Sequence, residues 1–182
     1  MMLAYPMSPL LSHPFAARRF SGVLAFVVLA LAARAESAAS IAGSYESEGT
    51  VVQADSGYNG PVSLRALLAL DFDLPQGSLR HPSITKVDVR QDLSALAIRT
   101  RKADGELEWS AEWRRNGGFE ATKEGVKLLF RGKQNRDDLY MFTLSTVNDG
   151  GALTVKIEKI EASKFGPVGR NVGTFLFLRK SP

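Results

Sequence analysis

Beyond residue 36, apolar and polar positions alternate along much of the chain. In VSLRALLALDFDL every even position is apolar: Val62, Leu64, Ala66, Leu68, Leu70, Phe72 and Leu74. The odd positions hold Ser63, Arg65, Asp71 and Asp73, with Leu67 and Ala69 between them. Successive strand side chains point to opposite faces, so the pattern predicts one long, bent strand over 62–74. A helix competes in the middle, where Leu64, Leu67 and Leu68 share a helical face, but that template fails at Asp71. The same test applies to DGELEWSAEWRRNGG, which holds both tryptophans. As a strand, Leu107, Trp109, Ala111 and Trp113 share one face, and Glu108, Ser110, Glu112 and Arg114 the other. Helical sets through Trp109 or Leu107 are only half apolar. Asp104-Gly105 and Asn116-Gly117-Gly118 are turn signals, and the preceding LSALAIRTR also alternates, so a hairpin of 93–101 with 106–114 is expected.

A second hairpin joins DLYMFTLSTV to ALTVKIEKI through Asn148-Asp149-Gly150-Gly151, residues suited to the positive φ of tight turns. Weaker strands are expected at 43–52, 84–90, 119–122, 126–131 and 173–180. GPVGRNVG at 166–173 reads as an irregular, mobile connection that could gate a barrel mouth. No long segment carries a helical stripe, and no repeat or second-domain boundary is visible. The fold class expected is all-β: an antiparallel meander closing into a small barrel of about eight or nine strands, with a sandwich as the alternative, because an oily sheet face and free edges must be covered.

The amino terminus changes the compositional picture. Arg18-Arg19 precede FSGVLAFVVLALAARA, whose apolar run ends at Ala33-Arg34-Ala35. A basic start, a short apolar run and an A-x-A site form a secretory signal peptide. The run falls short of the roughly 20 residues of a membrane-spanning helix, although an uncleaved anchor is the competing reading. The expected organisation is a signal peptide with an extended n-region over 1–35, then a single all-β domain over 36–182, located in the periplasm or outside the cell. A general secretion signal fits better than a twin-arginine one. The absence of cysteine rules out a lipoprotein anchor, disulfides and thiolate chemistry.

The chain carries 23 basic and 19 acidic residues, net +4. Arg18, Arg19 and Arg34 lie in the leader, so 20 basic residues face 19 acidic ones beyond it, net +1. Nucleic-acid binding needs a clustered basic face and is not expected. Basic residues do gather at 99–102 and 131–136, where solvated strand ends and loops are the simplest reading.

IAGSYESEG, near the start of the expected domain, is similar to the Gly-x-Trp opening strand of the lipocalin-type (calycin) barrels, with Tyr45 in place of Trp. Those barrels set an arginine of the last strand against that aromatic. Arg179 in GTFLFLRK is the matching position. The resemblance covers the two terminal strands only. It implies an apolar ligand cavity, and Gly43, Tyr45 and Arg179 as structural positions.

Candidate chemistry is sparse. His81 is the one histidine beyond the leader and reads as a loop residue, since nothing in sequence sets an acid or serine beside it. One histidine and no cysteine give no zinc or copper site. Asp71 and Asp73 would lie roughly 6.5–7 Å apart on one strand face, a spacing compatible with glycoside hydrolysis or calcium but commoner in an acidic strand end. No cofactor is expected. The remaining candidates line the oily faces: Trp109, Trp113, Leu68, Leu70, Phe72, Phe175 and Phe177. Eight-stranded barrels are either filled by side chains or hold one small ligand. Two tryptophans about 13 Å apart could cap and floor such a cavity or simply fill a core. The function expected is an exported, non-enzymatic barrel binding a small apolar molecule. The alternatives are an envelope structural or protein-interaction module with a filled core, partnered by an envelope protein, and a small outer-membrane barrel.

Overall fold

A computed structural model of the chain describes residues 39–75, 77–115 and 117–181. The leader expected over 1–35 lies outside the described residues. The described chain is all-β and antiparallel throughout. A four-stranded sheet holds β1 (Gly43–Glu46), β4 (Ile84–Gln91), β5 (Ala95–Lys102) and β6 (Leu107–Arg114), in that order. The other sheet runs β3-β2-β11-β10-β9-β8-β7. Its strands are β2 (Glu48–Ala54), β3 (Val62–Ser63), β7 (Phe119–Thr122), β8 (Gly125–Arg131), β9 (Leu139–Val147), β10 (Ala152–Ser163) and β11 (Gly166–Leu178).

The two sheets meet at a corner. β1 and β2 are consecutive, separated by Ser47, so the chain passes from one sheet into the other there. Ser47 is buried and bonded on both sides of its bend: Oγ donates to the Ile84 carbonyl at 2.6 Å, and its own carbonyl accepts from Leu64 N at 3.1 Å. Tyr45 forms an antiparallel bridge with Arg179 at the same corner. On the far side β6 and β7 end their respective sheets and do not pair with each other, so the expected closed barrel is not found.

Both hairpins form at the expected places. β5 pairs with β6 through Ala95↔Arg114, and β9 with β10 through Ala152↔Val147. Asn148, Asp149 and Gly150 all take positive φ, as the tight turn requires. A bulge before Arg101 sets that residue opposite Leu107 and leaves Glu108 without a partner. Bulges re-aim side chains. Here Leu107, expected on the oily face, is 48% exposed, and Glu108 turns to the buried Thr100 hydroxyl, 3.0 Å away.

Two expectations are corrected. The strand over 62–74 is only β3 at its start. It continues as the short helix α1 (Leu64–Leu68) and a 3-10 turn at Asp71–Asp73, with Leu70 in the left-handed region between them. Leu64, Ala66, Leu67, Leu68 and Leu70 are all buried. Leu67, on the mixed face of the expected strand, is part of this buried set, so alternation was an incomplete description of the run. Past Ser63 the segment bonds its own backbone, as a helical turn does: Ala69 N–H donates to the Arg65 carbonyl at 2.8 Å and Leu70 N–H to that of Leu67 at 2.9 Å. The second correction concerns 166–173, which is no loop. It is the first half of β11, paired with β10 from Ser163↔Gly166 onward and interrupted by one bulge next to Val172. β9 reaches β10 only as far as Ile160, and β2 reaches β11 only from Gly173. The far end is therefore a two-stranded ribbon, tipped by the fully exposed Phe165.

Candidate functional site

All seven residues expected to line a cavity come together in one apolar cluster. Leu68, Leu70, Phe175 and Phe177 are buried, and Phe72, Trp109 and Trp113 are half-buried against them. α1 supplies Leu64 and Leu67 to the same cluster. Aromatic rings run through it in continuous contact. Trp113 of β6 meets Phe130 of β8 edge-on with centroids 6.1 Å apart, and Phe130 meets Phe142 at 4.8 Å. Phe72 follows at 6.3 Å from Phe142 and 5.3 Å from Tyr140, the latter at right angles. Such geometry adds to area burial. It also carries packing across the unpaired β6–β7 boundary. The Phe130 ring thus stands against Trp113.

A polar network borders this cluster. Asp71 accepts from Lys133 Nζ at 2.9 Å and lies 3.2 Å from His81 Nε2. Arg65 Nη1 lies 2.6 Å from that same nitrogen, and Arg65 Nε pairs with Glu108 at 3.4 Å. An arginine only donates, so its contact needs an unprotonated Nε2, whereas the Asp71 contact needs Nε2–H. The two partners compete for opposite states of one atom. Asp73 accepts from Tyr140 Oη at 2.7 Å and from the backbone N–H groups of Lys133 and Gln134 at 2.6 and 3.0 Å. Burial pushes both carboxyls up, but the hydrogen bonds and neighbouring cations outweigh it and hold them below the usual carboxylate range. The Tyr140 phenol is pushed well above its ordinary value, by burial first and then by its bond to the Asp73 carboxylate.

The sequence reading of these residues is corrected here too. Asp71 and Asp73 sit on a 3-10 turn rather than a strand, and both reach Lys133 of the β8–β9 loop. His81 has an acid beside it after all. Its partner comes from ten residues earlier through a chain reversal that alternation did not reveal. The hydroxyl that enters the network through Glu108, that of Thr100, is fully buried. The chemistry on display is positional: the network ties α1, the 3-10 turn, the segment at His81, β6 and the β8–β9 loop together. Among the described residues no group of three or more His, Asp or Glu side chains is placed to hold a metal ion.

Three clefts stand out among the described residues, all open to solvent and none lined by the seven cluster residues. One, of about 390 Å³, lies beside the β6–β7 connection, lined in part by Phe119, Leu129 and Met141. Another, of about 420 Å³, lies beside Glu48, Arg80 and Pro82. The largest, about 670 Å³, lies where β1, β4 and the C-terminal segment meet. Its lining includes four cations (Lys86, Arg90, Arg179 and Lys180) and one carboxylate, Asp88. Asp88 accepts from Ser44 Oγ at 2.7 Å and pairs with Lys86 and Arg101 at 3.1 and 3.4 Å. Burial raises its carboxyl, and these partners more than reverse that. Arg179 was singled out in sequence only as a structural position. Its guanidinium donates to the carbonyls of Ala42 and Gly150, each at 3.1 Å, and lies across Gly43, where a Cβ would come within 2.9 Å of Nη2. No family model, curated protein or solved structure matched the chain.

Proposed function

We propose that this chain is an exported, non-enzymatic β-sheet module with a filled core, acting by surface contact. One observation carries the reading: α1 and Leu70 place four buried leucines, Leu64, Leu67, Leu68 and Leu70, in the cluster that a cavity would have occupied. Close-packed interiors leave few voids larger than water, so a ligand would need that segment displaced. Export rests on the leader pattern of the sequence. A barrel-like enclosure of lipocalin type is proposed with it, supported by the passage of the chain from one sheet into the other between β1 and β2 and by the Tyr45–Arg179 bridge.

A small apolar ligand in the interior is the second reading. What favours it is the half-buried state of Trp109 and Trp113 on β6, the strand with an unpaired edge. An outer-membrane barrel is disfavoured by the outward positions of β4 and β5, which include Lys86, Asp88, Arg90, Arg99 and Arg101 rather than an apolar band. Native mass spectrometry of gently purified protein distinguishes the first two. The mass of the polypeptide alone is the expected result, and a retained apolar molecule overturns the filled-core reading.

A further inference from the structure

We propose that the two-stranded ribbon of β10 and β11 docks on an anionic lipid surface, the Phe165 ring entering the bilayer interface and Lys164 meeting the headgroups. The inference rests on the surface-contact reading above and deepens it by naming the partner.

The ribbon stands clear of the rest of its sheet. β9 accompanies β10 only to Ile160, and β2 joins β11 only at Gly173, so past Ile160 the two strands are paired only with each other. From Ile160 to Ser163 is three strand steps, about 10 Å. Interfacial segments sink roughly 5–10 Å into the headgroup boundary, so the tip can enter without the sheet following. The tip is also fixed in shape. Ser163 pairs with Gly166, its Oγ donates to the Gly166 carbonyl at 2.6 Å and accepts from Phe165 N–H at 3.3 Å, and Gly166 takes a φ of 111° that favours glycine. A turn already ordered loses little freedom on docking.

The tip's chemistry suits a bilayer. Phe165 is fully exposed, and Val168 is exposed beside it in sequence. Residues 162–169, ASKFGPVG, carry one charge, that of Lys164. Behind them Lys159 is matched by Asp138 at 2.6 Å and Arg170 by Glu161 at 3.2 Å, whereas Lys164 has no carboxylate within ion-pair distance among the described residues. The base of the ribbon carries unpaired charge of both signs: Arg131, Arg136 and Asp137 at the β8–β9 loop, and Asp55 beyond β2. That base lies about one Debye length behind the tip at 0.1 M salt, roughly 10 Å, so a surface touching the tip meets Lys164 first. A bilayer interface sets an apolar layer beneath anionic headgroups. An aromatic ring with an ammonium beside it on a flexible stem matches that order. One ring and one cation give weak, reversible attachment, since even a myristoyl chain is marginal alone.

The test must therefore read weak binding by position. Full-length protein is mixed with phosphatidylcholine vesicles, with and without phosphatidylglycerol and with a trace of spin-labelled lipid, while backbone amide relaxation is followed. The expected result is enhanced relaxation centred on Ala162 to Val168 that needs phosphatidylglycerol and fades with added salt. Phe165→Ala should weaken it about tenfold or more. Lys164→Gln should weaken it about fivefold. Both side chains are exposed, so both variants should fold normally. Leu178→Ser, at an exposed apolar position on the opposite end of β11, should leave the effect unchanged. The proposal is overturned if no ribbon amide responds, if Phe165→Ala responds as the parent chain does, or if the lipid effect lies outside the ribbon. Broadening at the tip that grows with protein concentration and needs no lipid would assign it to a second copy and equally overturn the lipid surface. A ribbon silent toward vesicles leaves the filled-core reading standing, whereas an apolar molecule found by mass spectrometry overturns that reading without touching this one.

Discussion

The four-stranded sheet has two faces made by the same strands, and they do opposite work. Inward, Val87, Val89, Leu96, Ile98 and Thr100 are buried, joined by the half-buried Trp109 and Trp113. Outward, Lys86, Asp88, Arg90, Arg99 and Arg101 stand in solvent or partly so. The strand pleat alone sorts them. The difference teaches where unspent binding capacity lies. Inner side chains are packed into one apolar cluster with α1, Phe130 and Phe142, while on the outer face Arg90 and Arg99 have no carboxylate within ion-pair distance among the described residues.

The largest effects should come from the inner side. Phe142 is fully buried between Phe72 and Phe130, so Phe142→Ala should lose about 3–5 kcal/mol of stability in equilibrium denaturation. Should that loss come out below 1 kcal/mol, the interior is loosely filled and the contrast between faces fails. Next is the polar border. Asp73→Ala leaves the Tyr140 hydroxyl and two backbone N–H groups of the β8–β9 loop without their acceptor, and should cost about 1–3 kcal/mol by urea titration.

The same border sets an acid limb. Asp71 and Asp73 have folded-state pKa values below the ordinary carboxylate value of about 3.9. Depressed values mean that their contribution is present above that pH and lost as pH falls through the lower folded values. Urea midpoints measured downward from neutral pH should therefore fall steeply below about pH 4, and less steeply in Asp73→Asn. Parallel curves for the two proteins would remove Asp73 from the account. The smallest effect belongs to the outer face. Arg99→Gln touches no buried partner and should change stability by less than about 0.5 kcal/mol. A larger loss would mean that the outer charges are structural after all.

How much of this was legible in the sequence follows from which forces were local. Strands β5, β6, β9 and β10 were readable because alternation and turn residues sit side by side in the chain, as with Asn148 to Gly150. Residues 62–74 were misread because burial on several sides gives a run of leucines and alanines that satisfies period 2 and a helical face at once. The outcome was decided by the strand pairing that the assembled fold offers, which stops at Val62 and Ser63 against β2. The region at 166–173 was misread for the opposite reason. Glycine and proline suggested a loop, but pairing with 158–163 along a ribbon overrode their local preference. The tryptophans were placed on the right face, and their neighbours, Phe130 and α1, were not predictable because they lie far away in sequence. The basic cleft was half visible. Arg179 and the 99–102 cluster were both noted, but only the sheet register brings Arg90, Lys86 and the C-terminal segment together.

The central claim, that α1 helps fill the apolar interior, can be tested directly because the chain has no cysteine. A single thiol introduced by Leu67→Cys, at a site 1% exposed, can be compared with one at Leu129→Cys, 63% exposed. Under native conditions a small thiol reagent should label position 129 at once and position 67 only as fast as the whole protein unfolds. Labelling at 67 as rapid as at 129, with the fold intact, would contradict the filled core.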